Sequence, residues 1–250
     1  MVPGRLSAGS GRVGHMIQVC LNGARGAGDG AAVPLSPAAL AESAAAAVAA
    51  GAAEVHVHPK TPCGSDSLSP RVVGPAVESI RAAVDVPVGV TTGAWAEPDP
   101  MRRVERIRSW AVLPDYASVN WHEDGADGVA AALLDRGVGI EAGIRSGTDA
   151  ARRFLESPYG PRVLRVLAEV IDPLPGEAGP TARALLAELG NAHGRPVLLH
   201  GQDACTWPVL RLARSLGLDT RIGLEDVLVL PDGERVTSNA QLVRAALACG

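Results

Sequence analysis

Residues 36–58, SPAALAESAAAAVAAGAAEVHVH, contain one complete helix–strand unit. Ser36 followed by Pro37 is a typical helix start, because serine caps the first turn and proline fits the first helical position. The alanine-rich stretch that follows ends at Gly51, and glycine commonly terminates helices. The run Ala53–His58 is short and largely apolar, as expected of a buried strand. This stretch therefore predicts a helix that is followed directly by a strand of the core.

The same alternation repeats along the whole chain. The predicted strands are Ile17–Asn22, Ala53–His58, Val86–Thr92, Tyr116–Asn120, Val138–Glu141, Val163–Val170, Pro196–His200 and Thr220–Leu224. The predicted helices cover residues 36–51, 70–84, 99–111, 125–136, 147–157, 179–193, 204–217 and 238–248. Such alternation favours a parallel sheet with right-handed crossovers. Eight units in 250 residues are typical of a TIM (β/α)8 barrel, so we expect this α/β fold, with a doubly wound open sheet as the alternative.

The composition is that of a globular protein with a sizeable core. Hydrophobic residues make up 47% of the chain and charged residues 20%, unlike the composition of disordered segments. The net charge of -4 argues against general binding to nucleic acids or to an anionic membrane surface. No apolar run reaches the length of a transmembrane helix. The four cysteines lie far apart and form no C-x-x-C pair, so we expect reduced thiols and a cytoplasmic location.

The first 15 residues, MVPGRLSAGSGRVGH, differ in composition from the rest of the chain. They are rich in glycine, serine and arginine and lack the apolar stretch of a signal peptide. We therefore expect residues 1–15 to form a flexible tail and residues 16–250 to form one barrel domain. Met16 lies immediately before the first predicted strand and is a candidate translation start.

Polar side chains occur at or just past the C-terminal ends of the predicted strands. They are Asn22, His56, His58, Thr91, Thr92, Asn120, His122, Glu141, Glu169, His200, Gln202, Glu225 and Asp226. TIM barrels build their active sites at these strand ends. In a barrel these residues would converge on one polar pocket, whereas otherwise they would be unrelated loop residues.

The string Val55-His56-Val57-His58 places two histidines on one face of a strand, because residues i and i+2 point the same way. Glu225, at the end of a distant strand, can supply a third metal ligand if the fold brings the strand ends together. Two histidines and one carboxylate with open positions are typical of a catalytic metal site, since structural zinc sites normally have four protein ligands. The alternative is a pair of hydrogen-bonded barrel histidines, with Glu225 and Asp226 forming a helix N-cap.

Arg221 lies on the last predicted strand, five residues before Asp226. An unpaired charge inside a barrel is costly, so we expect Arg221 to pair with a carboxylate such as Asp226, or else to form a surface salt bridge. Glu141 is expected to face the pocket, with capping of the following helix as the alternative. His200 is a candidate for a further ligand or an acid–base group.

Five strings of the sequence together resemble one enzyme family. They are Leu21-Asn22-Gly23-Ala24, the run from Ala49 to His58, Thr91-Thr92-Gly93, Arg221-Ile222-Gly223-Leu224-Glu225-Asp226 and Thr237-Ser238-Asn239-Ala240-Gln241-Leu242-Val243. From Met16 to the C-terminus the chain resembles a short, divergent member of the β-keto acid cleavage enzymes (3-keto-5-aminohexanoate cleavage enzyme-like). This resemblance implies a zinc-containing TIM barrel that condenses a β-keto acid with acetyl-CoA, giving acetoacetate and an acyl-CoA. It also implies self-association into a homo-oligomer.

The resemblance further implies roles for particular side chains. His56, His58 and Glu225 would bind zinc, and Arg221 and Asp226 would form the carbanion. Thr91, Thr92 and Ser118 would contact the substrate carboxylate. Glu141 would contact the variable end of the substrate. The chemistry suits these residue types. A metal ion polarises a keto group, and a carboxylate beside an arginine can then take the carbon-bound proton.

The chain departs from the family pattern at three places. Pro59-Lys60-Thr61 follows the histidines, where the family usually has an arginine and an aspartate. Ala94 replaces a common second glycine, and the family's insertion between strands six and seven is largely missing, with only residues 172–179 left. Two other functions remain open: a CoA-independent, metal-dependent lyase, aldolase or hydrolase acting on an oxo acid, and a catalytically silent metal-binding barrel. The retained Arg221 and Asp226 favour an enzyme.

Overall fold

The computed structural model describes residues 15–30, 32–171 and 176–249, so nearly all of the predicted tail lies outside the described residues. Within these ranges, the strands are β1 (Ile17–Cys20), β2 (Glu54–Val57), β3 (Val88–Thr91), β4 (Tyr116–Asn120), β5 (Gly139–Arg145), β6 (Arg165–Val170), β7 (Val197–Gly201) and β8 (Thr220–Ile222). The α-helices are α1 (Pro37–Ala49), α2 (Pro70–Ala83), α3 (Pro100–Arg108), α4 (Ala126–Asp135), α5 (Ala150–Glu156), α6 (Ala178–Leu189), α7 (Thr206–Ser215) and α8 (Asn239–Ala248). The predicted alternation of strands and helices is confirmed.

The eight strands form one parallel sheet in the order β7-β6-β5-β4-β3-β2-β1-β8. Between β7 and β8, the described residues form one isolated parallel bridge, which joins Leu198 and Asp219. Side chains help to close this seam: the Thr220 hydroxyl donates to the Leu199 carbonyl at 2.8 Å. The sheet is therefore a nearly closed barrel. The predicted TIM barrel is confirmed, and the open doubly wound alternative is wrong.

The hydrophobic core lies between the strands and the surrounding helices. The fully buried side chains on the first five helices include Leu40, Val77, Ile107, Leu133 and Phe154. Burying one side chain of this size stabilises the fold by about 1.5–3 kcal/mol. None of the helices in the described part of the chain combines the length and apolar character that a membrane span requires.

The predicted helix starts are mostly built as expected. The Ser36 side chain accepts a hydrogen bond from the Ala39 amide, and Asp99 accepts from the amides of the first turn of α3. Ser69 makes no such side-chain bond. Proline at the first position of α2 therefore starts that helix without help from a side-chain cap.

Polar side chains from the starts of five strands fill the N-terminal end of the barrel interior. We call Gln18, Glu54, Tyr116, Glu141 and Arg165 the basal cluster. Gln18 Nε2 donates to Tyr116 Oη and to Glu141 Oε2, both at 2.9 Å. Arg165 Nε donates to Glu141 Oε2 at 2.6 Å, and the same guanidinium pairs with Glu54. These contacts replace the branched apolar layers that usually fill such barrels.

Strand β5 corrects one prediction from the sequence. The predicted strand ended at Glu141, but the observed strand continues to Arg145. The stretch after Glu141 contains glycine and serine and looks like a turn, yet the ladder to β6 continues until Arg145 pairs with Glu169. Pairing on both sides therefore overrides the weak strand propensity of these residues. As a result, Glu141 lies near the start of its strand rather than at its C-terminal end.

Candidate active site

A cavity of about 480 Å³ opens at the C-terminal ends of the strands. Six strands contribute residues to its wall, and the segments that follow β1 and β7 complete it. Six of the residues predicted to form the site line it: His56, His58, Thr91, Ser118, Arg221 and Glu225. The convergence of polar strand ends on one pocket therefore follows the barrel geometry expected from the sequence.

His56, His58 and Glu225 come together on one side of this cavity. One atom able to bind a metal from each residue lies within 4.8 Å of the other two. His58 Nε2 is 3.6 Å from Glu225 Oε1, and the ring centroids of the two histidines are 5.3 Å apart. The alternation of β2 turns both imidazoles inward, and the end of β8 brings the carboxylate to them.

The protonation states of this group suit a divalent cation. Burial lowers the pKa of His56 and lowers the pKa of His58 to about 3, so both imidazoles are neutral at pH 7. Burial alone would raise the pKa of Glu225, but Arg221 and the histidines outweigh it and hold this pKa below its usual range. Glu225 Oε2 is also buried without a hydrogen-bond partner among the described residues. Neutral imidazoles beside a charged, incompletely bonded carboxylate are a fitting donor set for a metal ion.

Glycines make room for the end of β8. Gly23 has a φ of +56°, and a Cβ at this position would lie 2.4 Å from Glu225 Cγ. At Gly223 an added Cβ would lie 1.8 Å from the Cys20 carbonyl oxygen. A side chain at either position would therefore displace the segment after β8, which carries Glu225.

Arg221 joins the possible metal ligands to a second buried acid. Its Nη2 donates to Glu225 Oε1 at 2.9 Å and to Asp226 Oδ1 at 3.1 Å. Since Arg221 is 5% exposed, the alternative of a surface salt bridge does not hold. Glu225 lines the cavity, whereas Asp226 is fully buried behind the guanidinium and does not line it.

His200 lies between two carboxylates on neighbouring strands. Its Nδ1 is 3.4 Å from Asp226 Oδ1 and its Nε2 is 3.3 Å from Glu169 Oε2. Burial and Arg221 lower the pKa of His200, but its bonds to the two acids outweigh them and raise it above the ordinary value. Both ring nitrogens face acids outside the His56–His58–Glu225 group. The structure therefore places His200 as a bridge between carboxylates, and it places Glu169 in the cavity wall.

The two threonines expected at the substrate carboxylate have different environments. Thr91 pairs in register with Ser118, and both residues line the cavity. The Thr92 hydroxyl instead donates to the Ser118 carbonyl at 2.6 Å. Consecutive strand residues face opposite sides, so the structure brings Thr91, and not Thr92, to the cavity.

Glu141 does not line the cavity either. Burial raises its pKa, but Arg165, His56 and other nearby groups outweigh this and lower the pKa below its ordinary value. Its ionised carboxylate is bonded within the basal cluster. The expected contact with the variable end of a substrate therefore has no support in the geometry.

Trp95 is a cavity residue that the sequence reasoning missed. Its indole is half-exposed and stacks on the His58 ring, with centroids 5.7 Å apart and planes inclined by 13°. Gly93 permits this placement, because a Cβ there would lie 2.3 Å from the indole. The Ala94 amide donates to Glu123 Oε2 at 2.9 Å, which anchors the loop. The available signal was a tryptophan two residues after the Thr-Thr-Gly string at the end of β3.

Comparison with known proteins gives one family match. The family model described as beta-keto acid cleavage enzyme matches residues 15–132 and 161–250. The unmatched stretch between them contains all of β5, including Glu141. No curated protein matches the chain.

Solved structures with similar folds include enzymes of several kinds. A ternary complex of ObcA with a C4-CoA adduct and oxalate is 17% identical, with a TM-score of 0.68, covering 86% of this chain and 63% of ObcA. A type I 3-dehydroquinate dehydratase from Clostridium difficile is 12% identical, with a TM-score of 0.60 and coverage of 94% and 92%. An N-acetylmannosamine-6-phosphate 2-epimerase from Clostridium perfringens is 14% identical, with a TM-score of 0.53 and coverage of 85% and 87%. These similarities show the barrel fold, and the chain spans less than two thirds of the ObcA length.

Proposed function

Since the chain belongs to the β-keto acid cleavage enzyme family, we propose that it is a zinc-dependent enzyme that condenses a β-keto acid with acetyl-CoA. The products are acetoacetate and a new acyl-CoA. The observation that carries this proposal is the convergence of His56, His58 and Glu225 in one cavity, with Arg221 bonded to the same glutamate.

His56, His58 and Glu225 would hold the zinc ion. Zinc bound there supplies Lewis acidity, which polarises a keto oxygen and makes the neighbouring carbon more acidic. Thr91 and Ser118 lie side by side in the cavity wall. Their hydroxyl groups donate hydrogen bonds to the substrate carboxylate and so orient the keto acid.

Asp226 acts as the base and Arg221 positions it. Asp226 Oδ2 is buried without a hydrogen-bond partner among the described residues, which leaves it available for a proton. Arg221 lines the cavity and bonds this carboxylate, which does not itself line the cavity. Arg221 already bonds Glu225, so a swing of the guanidinium toward that residue opens Asp226 to the substrate carbon. On the other side, His200 Nδ1 lies 3.4 Å from Asp226 Oδ1.

The substrate carbanion then attacks the thioester carbonyl of acetyl-CoA. The released CoA thiolate attacks the original keto carbon, and the bond from that carbon to the former carbanion carbon breaks. The departing carbanion takes back the proton from Asp226, which yields acetoacetate and the acyl-CoA of the remaining fragment. ObcA was solved with a C4-CoA adduct, and we extend the use of CoA to this chain on the basis of family membership. The acid–arginine pair supports an enzyme over a silent metal-binding barrel, because simple metal binding does not need it.

A CoA-independent, metal-dependent lyase or hydrolase is the second candidate. It is favoured by the short link between strands six and seven, residues 172–179 of the sequence, where the resemblance implies a longer insertion. The test is acetoacetate formation from a panel of β-keto acids, with and without acetyl-CoA. We expect product only when acetyl-CoA is present and about one zinc ion per chain in the purified protein.

The matched control is the double variant His56→Ala/His58→Ala, which removes two of the three ligands and should lose most of the zinc and the activity. Equal consumption of a β-keto acid without acetyl-CoA, and without acetoacetate formation, would favour the lyase, because acetyl-CoA supplies the acetyl group of acetoacetate. Zinc binding without turnover on any substrate would favour the silent barrel. Unchanged zinc content in the double variant would contradict the metal assignment itself.

A further inference from the structure

Lys60 is the only lysine of the chain, and its side chain is buried beside the proposed metal centre, with 1% of it exposed. Its Nζ donates to the Gly23 carbonyl at 2.6 Å and lies 2.7 Å from Asp66 Oδ1. A buried ammonium is costly unless it is paired and hydrogen bonded. These two contacts therefore explain why the charge of Lys60 is tolerated in the interior. No step of the proposed mechanism uses Lys60 or Asp66.

Both partners of Lys60 lie next to a proposed metal ligand. Gly23 is the glycine that makes room for Glu225. Asp66 faces the other ligand: its Oδ1 is 3.9 Å from His58 Nδ1, while Nε2 on the opposite side of that ring faces Glu225. One buried ammonium thus supports the surroundings of two ligands that come from distant parts of the sequence.

The Nδ1 atom of His58 is buried and has no hydrogen-bond partner among the described residues. The Asp66 carboxylate faces it, and a shift of about 1 Å brings the two atoms to hydrogen-bond distance. A histidine that binds a metal through one nitrogen almost always donates the N–H of the other to a carboxylate, carbonyl or water, and this fixes its tautomer. Trp95 stacks on the ring face and restricts the orientation of the same imidazole.

We propose that Asp66 is a positioning residue of the metal centre, which accepts the Nδ1–H of His58 and so presents Nε2 to the metal ion. Lys60 holds the Asp66 carboxylate in this place. The inference rests on the metal site of the proposed function, and it assigns a role to two residues outside the ligand set.

The loop between Lys60 and Asp66 brings the two charged residues together. The chain makes a tight turn here, in which the Thr61 amide donates to the Ser65 carbonyl at 2.8 Å. Lys60 and Asp66 consequently form an antiparallel bridge. The turn therefore holds the Asp66 carboxylate beside the Lys60 ammonium.

The test compares three variants with the unsubstituted protein. Asp66→Asn keeps an acceptor oxygen near His58. The double variant Lys60→Met/Asp66→Leu removes the acceptor and the buried charge together, which avoids leaving an unpaired ammonium. Thr61→Ala is the matched control: it removes the bond from the Ser65 amide to Thr61 Oγ1 in the same loop but leaves both charges in place.

Three measurements are made on each protein: the tautomer of His58 by 15N NMR of histidine-labelled metal-free protein, the zinc affinity by competition with a chromophoric chelator, and the melting temperature. We expect the Nδ1–H tautomer in the unsubstituted protein and its loss in the double variant. Zinc affinity should fall about 10–100-fold in the double variant, as is usual when such an outer partner is removed. Asp66→Asn should retain the tautomer and most of the affinity, and Thr61→Ala should change neither.

An Nε2–H tautomer in the unsubstituted protein would overturn the proposal. So would a double variant that melts at a lower temperature but binds zinc with unchanged affinity, because Asp66 would then only anchor the loop. Failure of the unsubstituted protein to bind zinc would instead contradict the proposed function. In that case the His58 tautomer in the metal-free protein still decides whether Asp66 positions the ring.

Discussion

Two buried polar clusters occupy opposite ends of the same barrel, and they differ in how completely their groups are paired. In the basal cluster, Glu141 receives hydrogen bonds from Gln18 and Arg165, and Arg165 also pairs with Glu54. The guanidinium lies over the Tyr116 ring at 5.0 Å from its centroid. Among the buried side-chain nitrogen and oxygen atoms described for this cluster, only Glu141 Oε1 lacks a hydrogen-bond partner.

The upper cluster consists of His56, His58, Arg221, Glu225 and Asp226. It has several buried atoms without partners among the described residues, including Glu225 Oε2, Asp226 Oδ2 and Arg221 Nε. A buried polar atom without a partner is costly, and native proteins keep few of them. The comparison shows that a charged residue inside a barrel is not by itself a sign of function. Incomplete pairing next to a cavity is the better indication, because a ligand can complete it.

The largest expected effect is on turnover, and it comes from a substitution in the upper cluster. Asp226→Asn keeps the shape of the side chain and removes its basicity, so turnover should fall roughly 10²–10⁴-fold, the usual value of a positioned general base. Zinc should stay bound, because Asp226 does not line the cavity beside the histidines. Steady-state kinetics and elemental analysis check both statements. Glu225→Gln is the matched control and should lose zinc. If Asp226→Asn loses zinc while its remaining loaded fraction keeps full activity, the roles of the two acids are exchanged.

The second prediction breaks the basal cluster. Arg165→Met leaves the ionised Glu141 buried without its cation, which should lower the free energy of unfolding by about 3–5 kcal/mol. The turnover number of the folded protein should change little, because Arg165 does not line the cavity. Urea unfolding and kinetics at low temperature measure the two quantities. The double variant Arg165→Met/Glu141→Gln removes both charges and should recover part of the stability. Loss of turnover at unchanged stability would show that the basal cluster belongs to the active site.

The smallest expected effect is on the pH dependence of stability, and it concerns Glu141 in the basal cluster. The pKa of Glu141 is lower in the folded protein than its ordinary value of 4.5, so the unfolded chain binds this proton more readily. The resulting stabilisation is complete above about pH 4.5 and is lost as the pH falls toward the folded-state pKa. Glu141→Gln should therefore lose less stability than the unsubstituted protein between pH 6 and pH 4, measured by urea unfolding. Equal losses in the two proteins would contradict the assignment of this carboxylate as ionised and paired.

The barrel could be predicted from the sequence because its determinants are local. Apolar runs, capping residues and helix-ending glycines recur with each unit, and they need no knowledge of distant contacts. The alternation of strand residues also indicates correctly that His56 and His58 share one face. The approach of Glu225 follows once the barrel itself is assumed, since all strand ends then meet at one face.

The remaining site features depend on depth and on contacts distant in sequence. Alternation gives the side of a strand but not the height along the barrel axis, which explains why Glu141 faces inward yet lies in the basal cluster. The contact between Trp95 and His58 and the return of Asp66 to Lys60 depend on loop geometry. Neither has a periodic signal in the sequence. A role assigned to a residue by resemblance is therefore most reliable where that residue lies at a strand end, because the strand end fixes its height along the barrel axis.

The packing of Glu225 against Gly23 limits the order in which these two positions can change during evolution. A Cβ at position 23 would lie 2.4 Å from Glu225 Cγ and 2.9 Å from its Cβ. Shortening residue 225 to alanine would still leave the second clash. While the backbone stays in place, a side chain at position 23 therefore excludes an acid at position 225. The two sites therefore show strong epistasis. A lineage would have to reach glycine at position 225, or move the backbone there, before position 23 could carry a side chain.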